Sequence, residues 1–184
     1  VSFPITTLVA LIAYFISRAV LKSSKQVYAG LFLALLMIVG FMTYSKGISI
    51  LGLHVSATSF SIVILIVTFF ETTLLERHIT KIKKGEIGSN VKSVETEYNE
   101  IFILIGFGLG GIMLSLVSGL MVLGEIDIEL IFKIVFTVFA LIIYMLTFLG
   151  VRYANLKVRY AVRGTILSFA MVLLAYFGNS IILI

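Results

Sequence analysis

The side chains best suited to chemistry lie in one stretch, LGLHVSATSF at residues 51–60, where His54 stands among small hydroxyl residues in an otherwise apolar run. Counting onward by three and four gives Ala57, Thr58, Ser61, Leu65, Thr68 and Thr72, which share one face of a helix, with Glu71 near its far end. A neutral imidazole is a common ligand for metals and for haem iron. His54 is therefore the candidate metal ligand, and Thr58 and Ser61 would line a cofactor face below it. The same histidine also suits a plainer role, hydrogen-bonding a second helix or reaching headgroup water. Glu71 is a weaker candidate, for transport, because it lies close enough to a helix end to reach the interface.

The elements that must position these residues follow from composition. Of 184 residues, 60% are hydrophobic and 12% charged, and the mean hydropathy is +1.18, far outside the soluble range. A membrane-crossing helix needs about 20 mostly apolar residues. The sequence predicts an all-α bundle of about six such helices near 3–21, 28–44, 49–75, 100–123, 130–151 and 160–183, forming one transmembrane domain over 1–184. The lipid bilayer is thus the first expected partner.

Basic residues set the expected orientation. Arg18, Lys22 and Lys25 fall in the first loop; Arg77, Lys81, Lys83, Lys84 and Lys92 in the third; Arg152, Lys157, Arg159 and Arg163 around the fifth. Lysine and arginine accumulate in cytoplasmic loops, so both termini are expected on the non-cytoplasmic side, and His54 in the outer leaflet. The net charge of +5 is then an orientation signal and not a nucleic-acid footprint. Positive charge follows the first apolar core, as in a retained outward helix and unlike a cleaved signal peptide.

Between the third and fourth helices, residues 76–100 form the one sizeable cytoplasmic loop. Its first part, to about Lys84, could prolong the third helix; Gly85 and Gly88 mark a break; Ser93 to Glu100 could be a short acidic helix. The expected role is solvated connection, with docking of a partner or of anionic headgroups through Lys81, Lys83 and Lys84 as the alternative. His78 is expected to be an ordinary exposed histidine. The fourth span, IGFGLGGIMLSLVSGL at 105–120, brings Gly108, Gly111, Ser115, Ser118 and Gly119 to helical spacing, a stripe suited to close helix packing. Tyr14, Tyr28, Tyr44, Tyr98, Tyr153, Tyr160 and Tyr176 fall mostly near helix ends, where an amphipathic ring suits the membrane interface; Tyr144 is the exception. There is no cysteine, and no Walker, HExxH or GxSxG sequence, so an enzymatic assignment has no local support.

In order along the chain, LGLHVSATSFSI, LLERHITKIKKG, VETEYNEIFILIGF, LSLVSGLMVLG and VRYAVRGTILSFAMVLLAYFGNSI resemble the C-terminal part of the cytochrome c assembly membrane proteins. This is the haem-handling family of system II cytochrome c biogenesis, with HemX-like and YpjD-like relatives. The resemblance covers about residues 45–184. It implies haem held by histidines on the outer face of a bacterial inner membrane and passed to apocytochrome c, with other biogenesis subunits as partners. His54 matches the family histidine in the helix before the external segment. That segment is tryptophan-rich in the family, whereas here it reads VLGEIDIELIFK and the chain has no tryptophan. A second axial ligand would have to come from outside the matched residues. The resemblance is therefore to the divergent HemX-like and YpjD-like branches and not to a complete haem lyase.

Two other classes stay open on the residues alone. One is a non-catalytic scaffold or accessory subunit of a larger membrane complex, without cofactor, docking through the 108–119 stripe and the 76–100 loop. The other is a small-solute permease using the polar face and Glu71.

Overall fold

In the computed structural model the described residues are 3–20, 26–46, 49–86, 93–122, 128–154 and 157–177. They form six helices: α1 (Phe3–Val20), α2 (Gln26–Lys46), α3 (Ile50–Lys83), α4 (Val94–Val122), α5 (Ile128–Tyr153) and α6 (Val158–Phe177). The expected all-α architecture holds. Five of the helices, α2 to α6, are long and apolar enough to cross a membrane; α1 is apolar but shorter.

Local chemistry explains the boundaries. Ser49 caps α3, its Oγ accepting the amide of Gly52 at 3.1 Å. The helix then runs for 34 residues, roughly 51 Å at 1.5 Å per residue, longer than the roughly 30 Å of a hydrocarbon core. Its charged end, after Leu75, accounts for the excess. Gly85 stops it in the left-handed region (φ 77°), with Glu86 N–H donating to Lys81 O at 3.1 Å and Gly85 N–H to Ile82 O at 3.0 Å. That paired closure is the Schellman arrangement. Gly88, the other expected breaker, lies outside the described residues.

On the far side of the loop, Ser93 accepts the Thr96 amide at 3.3 Å, and Glu95 and Glu97 occupy the first turn of α4, where the helix dipole favours acid. The acidic segment expected after Ser93 is therefore the start of α4 itself. Within the 76–100 stretch, residues 76–83 continue α3 and residues 94–100 open α4, as the sequence suggested.

Packing divides the chain into two compact units. One comprises residues 1–64 and 110–126. There α1 lies against α2, and Val27, Leu31, Ala34, Ile38 and Met42, recurring every three or four residues, form the buried stripe of α2. Tyr14 is 0% exposed, and its ring lies so near Gly30 that a Cβ there would stand 2.8 Å from it. Tyr14 is thus a core residue, which corrects the expectation that it marks an interface.

The second unit comprises 65–109 and 127–184. Here α5 packs on α6, with Thr147 of α5 set directly against Gly164 of α6. Ser168 Oγ donates across to the Ala140 carbonyl at 3.3 Å. Phe102 stacks on Phe148 with centroids 4.8 Å apart, and the Arg152 guanidinium lies 5.1 Å from the Phe102 centroid. Large apolar side chains elsewhere face outward, among them Leu36 (52%), Phe139 (52%) and Leu146 (60%). In water these would be a liability; against acyl chains they cost nothing.

Candidate functional site

The polar face read from α3 is real. Ala57, Thr58, Ser61, Leu65, Thr68 and Thr72 are all buried, and His54 is half-buried. Each hydroxyl on this face solves the problem of a polar group in a dry environment by bonding back one turn or across to another side chain. Thr58 Oγ1 donates to His54 O (2.8 Å), Ser61 Oγ to Ala57 O (2.7 Å) and Thr72 Oγ1 to Thr68 O (2.6 Å).

What the face meets depends on the unit. In the first unit it meets the small-residue stripe of α4. His54 Nδ1 lies 3.0 Å from the Ser115 carbonyl and 3.3 Å from Ser118 Oγ. Thr58 Oγ1 is 2.6 Å from Ser115 Oγ; since the Thr58 proton is committed to His54 O, Ser115 is the donor in that contact. Gly111 and Gly119 make the approach possible. A Cβ at Gly111 would stand 2.9 Å from Ser61 Oγ, and one at Gly119 would stand 3.0 Å from His54 Cε1. So the two features noted separately in the sequence, the hydroxyl face and the glycine-serine stripe, are the two sides of one seam.

The seam fixes the chemistry of the imidazole. A carbonyl oxygen only accepts, so Nδ1 must carry the proton. In the neutral ring the lone pair is then on Nε2, and among the described residues no hydrogen bond engages that atom. A ring held by Nδ1–H on a main-chain carbonyl with Nε2 free is the arrangement used by histidines that bind metals. Among the described residues no group of three or more His, Cys, Asp or Glu could hold a metal ion. Thr58 and Ser61, expected to line a cofactor face, have their hydroxyls engaged within the seam.

In the second unit the same face meets an aromatic. Tyr144 is fully buried, its hydroxyl donates to Thr68 Oγ1 at 3.3 Å, and Gly108 makes room: a Cβ there would be 2.6 Å from the ring. Of the predicted packing residues, Gly108 therefore serves Tyr144, while Gly111, Ser115 and Gly119 serve α3 in the first unit. Glu71 is half-buried on α3.

One contact departs from the sequence expectation. His78 is not a free surface histidine; its Nδ1 lies 2.8 Å from Glu97 Oε2, tying the charged end of α3 to the first turn of α4. The partners are 19 residues apart in sequence, and no periodicity signals such a pair.

Compared with known proteins, the chain matches no family model, no curated protein and no solved structure. The likeness to cytochrome c assembly proteins rests on the sequence segments alone.

Proposed function

We propose that this membrane-embedded helical protein handles haem during cytochrome c biogenesis, with His54 Nε2 as an axial ligand on the non-cytoplasmic face of a bacterial inner membrane. The observation that carries the reading is the Nδ1···O contact of 3.0 Å to Ser115, which holds the ring in one tautomer with Nε2 available. Bound haem would supply an iron that accepts this lone pair. Thr58 and Ser115 keep the carbonyl and the ring in register, and Gly119 leaves space for the ring against α4. Any further protein ligand to the iron would have to come from outside this site, since His78, the chain's other histidine, lies 24 residues further along and is paired with Glu97. Both termini on the outer side, as the distribution of Lys and Arg favours, would put His54 where apocytochrome c is matured.

A second reading, a scaffold or accessory subunit without cofactor, is favoured by the closeness of the seam itself. There every hydroxyl of Thr58, Ser61, Ser115 and Ser118 has an intramolecular partner. The experiment that separates the two is affinity purification in mild detergent followed by haem extraction and quantification. Haem near one equivalent supports the first reading; a stoichiometric protein partner with no haem supports the second.

A further inference from the structure

The second unit contains a half-open groove of about 580 Å³ at the charged end of the helices, formed by α3, the start of α4 and the start of α6. This is within the range of small-ligand sites, roughly 300–1,000 Å³. Its cations are Lys83 from the last turn of α3, Lys157 immediately before α6, and Arg159 in the first turn of α6. Among the described residues none of the three pairs with a carboxylate. Glu76 is the one acidic side chain lining the groove, so three cations face one carboxylate.

Two further features narrow the ligand. The first turn of α6 has no acidic residue, unlike that of α4, so no carboxylate there offsets the positive end of the helix dipole. The wall is also apolar, through Ile79 and Val158, and the groove begins at Glu76, one residue beyond the buried Leu75 where the apolar part of α3 ends. Positive charge above apolar surface, at the level where membrane-crossing helices leave the hydrocarbon, complements an anion that carries acyl chains.

We propose that this groove binds the headgroup of an anionic phospholipid, its phosphate among Lys83, Lys157 and Arg159 and its proximal acyl segment against Ile79 and Val158. The site is independent of the haem reading and requires only that the helices lie in a bilayer. A soluble phosphate compound would satisfy the cations but leave the apolar wall uncovered.

The test is native mass spectrometry of the full chain released from micelles containing equal phosphatidylglycerol and phosphatidylcholine, with glycerol 3-phosphate as soluble competitor. Expected is selective retention of phosphatidylglycerol that falls on the order of fivefold for each cation removed in Lys83→Gln, Lys157→Gln and Arg159→Gln. The control combination Arg77→Gln, Lys81→Gln and Lys84→Gln, with the same charge loss outside the groove, should retain the lipid as the wild type does. Glu76→Gln leaves every cation in place and should raise retention, which keeps the test decisive if the triple variant fails to fold. Equal retention of both lipids, equal loss in the control, no gain in Glu76→Gln, or displacement by glycerol 3-phosphate at the lipid's own concentration would each overturn the proposal.

Discussion

The imidazole of His54 and the main-chain carbonyl of Ser115 stand 3.0 Å apart across two helices, and the α4 residue beneath the ring is Gly119. The two facts depend on each other. The ring reaches the carbonyl because nothing projects from position 119, and the carbonyl then decides which ring nitrogen keeps its proton.

The glycines of α4 should accordingly differ in their tolerance of a side chain. Gly119→Val would place atoms against His54 Cε1 and should cost about 1–3 kcal/mol, as overpacking does. Gly110 has nothing within 4 Å of a built Cβ, so Gly110→Ala should be neutral or stabilising by up to about 1 kcal/mol through helix propensity. Thermal unfolding in detergent distinguishes them; equal melting temperatures for the two variants would mean that the seam is not formed.

The α5–α6 contact offers an independent check in the second unit. A Cβ at Gly164 would collide with Thr147 Oγ1, and the Thr147 hydroxyl already donates to Ile143 O at 2.9 Å. Gly164→Ala should lower stability by about 1–3 kcal/mol, and adding Thr147→Ala should recover part of it, with a coupling of roughly 0.5–3 kcal/mol. Strict additivity in the double-mutant cycle would show that these residues do not touch.

Much of this was legible from the sequence, for identifiable reasons. Helix number and approximate bounds follow from the length of apolar runs, and the α3 face from helical periodicity, because both are properties of a single segment. Periodicity states which way Thr58 and Thr68 point but not what they meet. That Ser115 faces Thr58 while Tyr144 faces Thr68 is set by tertiary packing. Tyr14 deceived for a related reason: a tyrosine near a helix end resembles an interfacial anchor until Gly30 on α2 proves to leave room for its ring. The His78–Glu97 pair depends on how two helix ends meet, which charge patterning does not encode.

That pair makes its own prediction. His78 and Glu97 are 15% and 26% exposed at the side chain, so screening is incomplete and the contact is worth more than a fully solvated one. Under conditions where the imidazole is protonated, a cycle of His78→Ala and Glu97→Gln should give a coupling of about 0.5–1 kcal/mol, weakened by added salt. Insensitivity of the coupling to ionic strength would indicate a neutral hydrogen bond in place of an ion pair.

Sidedness can be read directly because the chain contains no cysteine. With the proposed orientation, Ile50→Cys, at a position 49% exposed next to the α3 cap, should react with a membrane-impermeant maleimide in intact cells. Lys84→Cys, exposed at the other end of the same helix, should react only after the membrane is opened. The reverse pattern would invert the topology and take His54 to the cytoplasmic leaflet.

The most direct test of the haem reading is the absorption spectrum of gently solubilised protein, recorded for the wild type, His54→Ala and Thr73→Ala, the last a hydroxyl off the seam that bonds back to Phe69 O. A Soret band in the wild type that persists in Thr73→Ala and disappears in His54→Ala, with all three proteins folded by circular dichroism, is the predicted result. A Soret band unchanged in His54→Ala, or a wild-type protein that takes up no haem when haem is supplied, would contradict it.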